Sequence, residues 1–481
     1  MPAGTACDAF SFTPSSYRER WGKSTGMFRG KIKNMKNTVA FHNLGCKVNA
    51  YETGAMLQSL LAEGYEEVPF DSGADVYVIN TCTVTNIADR KSRQMLHKAR
   101  EMNPDALVVA VGCYVEDAAR ALREDGTVDL LVGNNEKSRL ADLIRERRAA
   151  GEAPAPRELE NINHVRTYEE LHFLPEGERT RAYVKVQDGC NQFCTYCMIP
   201  YVRGRVRSRE ASEVLRETRA LAERGYREIV VTGIHVSSYG LDKAAPGEHR
   251  MTPFAHEAKT NEELAELIEA MAAVPGIERV RLGSLEPGIM TEDFVRRLAS
   301  IRELCPQFHL SMQSGCDETL ARMRRRYRTE DFAEKCRLLR KYFANPAITT
   351  DIIVGFPGET EEEFETTVKF VEGIHFSRTH IFKYSKRRGT KAAVMPDQVS
   401  EQVKKERSKR LLELDARRRA EYAASWVGQN VEVLFEEPAP DGSMKGYTRE
   451  YVEVRSRLPE ADRNTILRAR PKEVSGEILL V

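Results

Sequence analysis

Three cysteines, Cys190, Cys194 and Cys197, lie within eight residues in the stretch GCNQFCTYC. A thiol outside a disulfide is often a small buried hydrophobe. Three this close, among Gly, Asn and Gln and just after a strand-like run, do not read as core. A structural zinc site needs four ligands, and the nearest downstream histidine is His235. Cysteine thiolates bind iron one each, normally four to a cubane cluster. Three leave one iron with an open position that a substrate or cofactor can fill. The spacing reads as an iron–sulfur cluster that does chemistry, with zinc as the rival.

Three further cysteines share a placement. Cys46, Cys82 and Cys113 each follow a strand-like run: TVAFHNLGC, DVYVINTC and LVVAVGC. Strand ends of a parallel sheet converge at one edge, so three thiols delivered this way can meet. One instance would be an ordinary small residue in a turn; three argue for a second three-cysteine site. Cys7, Cys305, Cys316 and Cys336 have no common placement and read as ordinary thiols.

The elements that must position these residues follow from periodicity. From about residue 37 to 150, β-branched runs alternate with helical stretches such as NAYETGAMLQSLLAEG, the mark of a parallel α/β sheet. Residues 151–178 carry Pro and charge with little periodicity and read as a linker. Six strand candidates then recur: RAYVKVQ, EIVVTGI, RVRLGSL, FHLSMQS, AITTDIIVGF and RTHIFKY. Helices between them predict a full or partial (β/α) barrel over 179–420, with its site at the strand C-terminal ends. In GFPGETEEEF, Thr360 and Glu363 predict a capping box. After a basic helix, residues 421–481 change to short strands and turns, which predicts a small OB-like β-barrel. Residues 1–36 read as a flexible extension, and 242–260 as a polar insertion without an assigned role.

The 481 residues hold 73 Lys+Arg against 72 Asp+Glu, so net charge does not point to a nucleic acid. Ten cysteines are too sparse for a disulfide scaffold. No apolar run nears the roughly 20 residues that span a bilayer. The first twenty residues lack a basic start followed by an apolar core. A cytoplasmic protein without a membrane partner is expected.

GCNQFCTYC resembles the C-x3-C-x2-C motif of radical S-adenosylmethionine (SAM) proteins. LGCKVN, NTCTVT and VGC resemble the N-terminal domain of the methylthiotransferase family within that class. RVRSR, GSLEP, SMQSGCDETLARM and TDIIVGFPGETEEEF are similar to the rest of it. The likeness runs from about residue 37 to the C-terminus, where the small barrel resembles the RNA-binding TRAM module. The resemblance implies two 4Fe-4S clusters. One, on Cys190, Cys194 and Cys197, binds SAM at its open iron, and one electron splits SAM to give a 5′-deoxyadenosyl radical. The other, on Cys46, Cys82 and Cys113, carries the sulfur; a first SAM methylates that sulfur and a second serves as radical source. A low-potential donor such as flavodoxin or ferredoxin, and a sulfur source, are implied partners.

The resemblance also places strand ends against SAM: Thr232 and Gly233, Gln313 and Ser314, Ile353 and Gly355. Many radical SAM proteins carry a Gly-Glu-type pair where this chain has Thr232 and Gly233. Arg203, Arg205, Arg207 and Arg209 alternate. In an extended segment they share one face, open to solvent or to RNA phosphate. Tyr447 and Arg449 are the expected RNA contacts of the C-terminal barrel. FHNLGCKVNAYET, VTGIHVSSYG, RLGSLEP and SMQSGCDETL resemble the branch that modifies N6-threonylcarbamoyladenosine (t6A) at tRNA position 37. Methylthiolation of its adenine C2 is therefore expected. Isopentenyladenosine in tRNA is the alternative substrate, and a zinc-stabilised, non-catalytic RNA-binding protein the alternative class.

Overall fold

The computed structural model describes residues 37–150, 158–175, 180–243 and 261–481. The expectations for residues 1–36, Cys7, most of the insertion and part of the linker lie outside the described residues. The chain divides into two compact units, Met1–Val165 with Glu169–Phe173, and Arg166–Tyr168 with Leu174–Val481.

In the first unit, β1 (Thr38–Asn43), β2 (Glu66–Glu67), β3 (Val76–Thr81), β4 (Leu107–Gly112) and β5 (Leu130–Val132) form a parallel sheet in the order β2-β1-β3-β4-β5. β3 is buried along its whole length, as a central parallel strand covered on both faces must be. The covering helices are α1 (Lys47–Ala62), α2 (Asn86–Met102), α3 (Cys113–Asp125) and α4 (Leu140–Ala149). Asn43 pairs with Asn80, and Thr81 with Gly112. The ends of β1, β3 and β4 are therefore nearly flush at one edge.

A buried polar cluster lies near that edge. Lys137 Nζ is 2.8 Å from Glu52 Oε2 and 2.6 Å from Asn134 Oδ1, and both charged side chains are fully buried. Asn134 Nδ2 in turn donates to Cys113 Sγ at 3.5 Å. Removing one partner of such a pair leaves the other charge buried and uncompensated. Lys137→Ala is expected to lower stability by about 3–5 kcal/mol, read by denaturant unfolding. A change below about 1 kcal/mol, the size of an exposed pair, would contradict this account.

In the second unit the strands are β6 (Arg181–Asp188), β7 (Arg207–Ser208), β8 (Glu228–Gly233), β9 (Arg279–Leu282), β10 (Ser284–Leu285), β11 (Gln307–Leu310), β12 (Ala347–Val354) and β13 (Arg378–Lys383). β6-β8-β9 and β11-β12-β13 are parallel sets. The Val280 N–H donates to Glu303 O and the Cys305 N–H to Val280 O, both at 2.8 Å, which joins the two. The six long strands are those the sequence predicts. Helices α5 (Ile199–Val202), α6 (Ala211–Glu223), α7 (Glu262–Ala272), α8 (Glu292–Ser300), α9 (Asp317–Arg322), α10 (Thr329–Tyr342) and α11 (Glu361–Ile374) alternate with them. Val184, Val186, Ile229, Val231, Phe308, Leu310, Ile352 and Val354 join the helices in one apolar core. The intervening positions, Lys185, Val230, His309 and Ile353, point to the opposite face of the strands, as a two-residue period requires. The capping box on α11 is present, with Thr360 and Glu363 as the reciprocal pair.

Helix α12 (Glu401–Ala424) leads to β14 (Val431–Pro438), β15 (Met444–Thr448), β16 (Glu453–Ser456), β17 (Ile466–Ala469), β18 (Glu473–Ser475) and β19 (Ile478–Leu480). These form one sheet in the order β17-β14-β15-β16-β19-β18. Its face toward the larger array is tied by charge. Arg181 pairs with Glu436, and Arg279 Nη2 lies 3.2 Å from Glu432 Oε1. Among the described residues no helix is long and apolar enough to cross a membrane.

Candidate active site

The loop carrying Cys190, Cys194 and Cys197 follows β6. Gly189 makes the turn with φ of +71°, a left-handed conformation that favours glycine. A Cβ there would lie 1.9 Å from the Arg205 carbonyl oxygen. The Cys190 N–H donates to Gly204 O at 3.1 Å, and the Thr195 N–H to Met323 O at 3.1 Å. The Ala392 N–H donates to Thr195 O at 2.8 Å. The loop is thus pinned from three directions. Gly189→Ala is expected to displace it and lower bound iron to about half, as loss of one of two cubane clusters would. Iron and sulfide per chain after anaerobic purification provide the check; wild-type content would contradict this account.

Each sulfur in the loop faces a donor. The Gln192 N–H points at Cys190 Sγ at 3.5 Å. Arg325 Nη1 donates to Cys194 Sγ at 3.2 Å. The Ile199 N–H faces Cys197. Burial, with Cys194 second, pushes the Cys197 thiol up to about 12. Burial, with Cys197 second, pushes Cys190 up as well. A bound cation is what turns such thiols into thiolates. Three thiols with three sulfur-directed donors fit a cluster of three-cysteine ligation.

The sequence reading missed the groups that back this loop. Arg325 Nη2 bonds both Glu286 oxygens, at 2.7 and 2.9 Å. Burial pushes the Glu286 carboxyl up, but Arg325 and His235 outweigh it and hold it below the usual range. The His235 N–H donates to Gln187 Oε1 at 2.7 Å, and its Nε2 lies 3.5 Å from Glu286 Oε2. Glu286 lies in GSLEP, and Arg325 in the basic run ARMRRRYR that follows SMQSGCDETL. Nothing in either string says that the two meet. Deeper in the array, His309 Nε2 lies 3.4 Å from Asp351 Oδ2. Burial pushes His380, paired in register with Asp351, down to about 4.

The positions expected to meet SAM are placed as follows. Thr232 and Gly233 end β8, and a Cβ on Gly233 would lie 3.1 Å from both Gln187 O and Oε1. Gln313, at φ of +71°, donates its N–H to Asp351 O at 2.8 Å and accepts the Ile353 N–H at 2.9 Å. Gln313 and Ile353 are therefore brought together. Ser314 is buried, with its hydroxyl 3.3 Å from Thr367 Oγ1 on α11, so it faces the helix layer. Gly355, at φ of +70°, lets the Lys404 side chain pack where a Cβ would be, 2.3 Å from Lys404 Cγ.

The arginine row is not the open face that alternation predicts. Arg203, Arg207 and Arg209 are buried. Arg203 Nη1 lies 3.1 Å from Asp188 Oδ2, and Arg209 Nη1 lies 2.7 Å from Glu217 Oε2. Arg207 donates to the Arg203 and Arg205 carbonyls. Arg205, half-buried, sits 4.7 Å over the Phe193 ring. A helical turn at α5 and a left-handed Gly204 break the extended path, so the four do not share a face. In the C-terminal sheet, Tyr447 stacks on Tyr451 at 4.7 Å, with the Arg181 guanidinium 5.1 Å from the Tyr447 centroid. Arg449 donates to the Arg302 and Leu304 carbonyls. Both residues are engaged in holding this sheet to the strand array.

In the first unit, Cys46 is the N-cap residue of α1, Cys82 follows β3 directly, and Cys113 opens α3. Gly45, at φ of +106°, has no Cβ; one would lie 3.0 Å from Cys82 Sγ. Cys46 Sγ lies 3.7 Å from Asn49 Oδ1, and Asn49 Nδ2 spans to Leu44 O and Thr81 O. Cys82 and Cys113 are buried, and Cys46 is exposed. The three thiols share one sheet edge, and the glycine leaves space at sulfur. This donor set also fits a three-cysteine cluster.

Residues 184–371 match the family model described as Radical SAM superfamily, and residues 38–133 that of Uncharacterized protein family UPF0004. The chain is 41% identical over 421 residues to the threonylcarbamoyladenosine tRNA methylthiotransferase MtaB of Bacillus subtilis, covering 87% of this chain and 90% of that protein. It is 38% identical to the Aquifex aeolicus protein of the same name, over 82% and 92%. It is 34% identical to the tRNA-2-methylthio-N(6)-dimethylallyladenosine synthase of Methylacidiphilum infernorum, over 86% and 87%. Among solved structures, the radical SAM methyltransferase TsrM of Kitasatospora setae shares the fold, with a TM-score of 0.55 at 16% identity over 75% of this chain and 77% of that one. The parallel array with its three-thiol loop thus defines a radical SAM fold. Within that class, the chain belongs to the tRNA methylthiotransferases, transferases that bind SAM and 4Fe-4S clusters.

Proposed function

We propose that the chain methylthiolates C2 of N6-threonylcarbamoyladenosine at position 37 of tRNA, replacing C2–H by C2–SCH3. The observation that supports this choice is the 41% identity to a threonylcarbamoyladenosine methylthiotransferase over 87% of the chain. The dimethylallyladenosine synthases at 34% keep the isopentenyl substrate as the second reading. Cys190, Cys194 and Cys197 would hold the SAM-binding cluster, and Cys46, Cys82 and Cys113 the auxiliary one. When bound, the first supplies the electron that cleaves one SAM, and the second supplies the sulfur that another SAM methylates.

The chain's own residues bind and orient. SAM is assigned to Gln187, Thr232 and Gly233, which adjoin at the ends of β6 and β8, and to Gln313, Ile353 and Gly355 at and beyond the ends of β11 and β12. Residues 421–481 are assigned to RNA binding as an OB-like TRAM module, through surfaces other than those Tyr447 and Arg449 use against the strand array. A low-potential flavodoxin or ferredoxin, a sulfur donor and a cytoplasmic setting complete the proposal. Mass spectrometry of tRNA nucleosides from a deletion strain tests it. Loss of the methylthio threonylcarbamoyl nucleoside is expected. Loss of the methylthio isopentenyl nucleoside alone would overturn it.

A further inference from the structure

Arg325 is a buried cation aimed at sulfur. Its side chain is 6% exposed, and Nη1 donates to Cys194 Sγ at 3.2 Å. Other contacts fix its orientation. Nη2 bonds Glu286 at 2.7 and 2.9 Å and Ser311 O at 3.1 Å, and Nε donates to Tyr327 Oη at 3.0 Å. The Tyr327 hydroxyl is itself tied to the Ser311 and Met312 carbonyls. The guanidinium is therefore held as a donor to one cluster-loop sulfur, with one carboxylate as its counter-charge.

We propose that Arg325 is a positioning residue that sets the reduction potential of the cluster held by Cys190, Cys194 and Cys197, with Glu286 opposing it. This rests on the reading that those cysteines hold a 4Fe-4S cluster. Reduction adds negative charge to the cluster and its thiolates. A cation hydrogen-bonded to a ligand sulfur stabilises the reduced form more than the oxidised one, which raises the potential. Burial keeps this influence large, because little water screens it. Glu286, bonded to the same guanidinium, carries the opposite charge and lowers the potential. Removing the two groups should therefore move the potential in opposite directions, which a general loosening of the site would not do.

The test is a redox titration followed by electron paramagnetic resonance on anaerobically reconstituted holoenzyme. The signal that changes on adding SAM identifies the cluster. Arg325→Met is expected to shift the midpoint to more negative potential, with iron and sulfide content retained. Arg325→Lys should fall between it and wild type. Glu286→Gln is expected to shift the midpoint to more positive potential, because Ser311 O and Tyr327 still hold Arg325. Unchanged potentials in variants that keep the cluster, or shifts of the same sign, would overturn the proposal. Should Arg325→Met fail to hold a cluster, Glu286→Gln decides alone: an upward shift supports the proposal and any other result overturns it. A wild-type enzyme with iron but no SAM-responsive signal would instead contradict the cluster reading on which it rests.

Discussion

Cys190→Ala is expected to abolish SAM cleavage, with 5′-deoxyadenosine below detection and bound iron at about half the wild-type content. Cys190 is buried in a loop whose backbone is bonded to Gly204, Met323 and Ala392, so the loop keeps its path without the sulfur. With one of three thiols gone, a cubane keeps only two protein ligands, too few to hold it with a single open iron. Cys194→Ala and Cys197→Ala should behave alike, since no fourth cysteine stands in the loop. Retained 5′-deoxyadenosine formation in any of the three would contradict the assignment of this loop.

Cys82→Ala should separate the two halves of the chemistry. Methylthio product is expected to vanish and iron to fall by about half, while 5′-deoxyadenosine formation continues. The substitution is mild for the fold. The Cys82 N–H donates to Ser92 Oγ at 3.2 Å and its carbonyl accepts from the same hydroxyl at 3.1 Å, neither of which involves the sulfur. Chromatographic assay of 5′-deoxyadenosine and of modified nucleoside in one reaction reads both outcomes. Loss of SAM cleavage to the extent seen for Cys190→Ala, or persistence of methylthio product, would show that the cysteines do not divide the work this way.

The cysteine edges were legible in the sequence because both depend on local signals. A β-branched run followed by cysteine places that thiol at a strand end, and register did the rest: Thr81 pairs with Gly112, so Cys82 and Cys113 emerge side by side. The six strands of the second unit and the α11 capping box are local in the same way. The arginine row failed for a physical reason. Alternation gives one face only in extended backbone, and Gly204 with the α5 turn breaks it. The burial of Arg203 and Arg209 depends on Asp188 and Glu217, whose pairing is a tertiary fact. The link from Cys194 through Arg325 to Glu286 spans 131 and 39 residues, and one arginine among five in RMRRRYR carries it. Aromatic and cationic residues such as Tyr447 and Arg449 suit RNA. The same chemistry serves a protein interface, where Arg181 covers Tyr447.

Incubating the anaerobically reconstituted enzyme with SAM, a reductant and t6A-containing tRNA, followed by nucleoside mass spectrometry, addresses the assigned activity most directly. The expected result is 2-methylthio-t6A, with S-adenosylhomocysteine from one SAM and 5′-deoxyadenosine from another. Unchanged t6A in a reaction that methylthiolates isopentenyladenosine tRNA would contradict the assigned substrate.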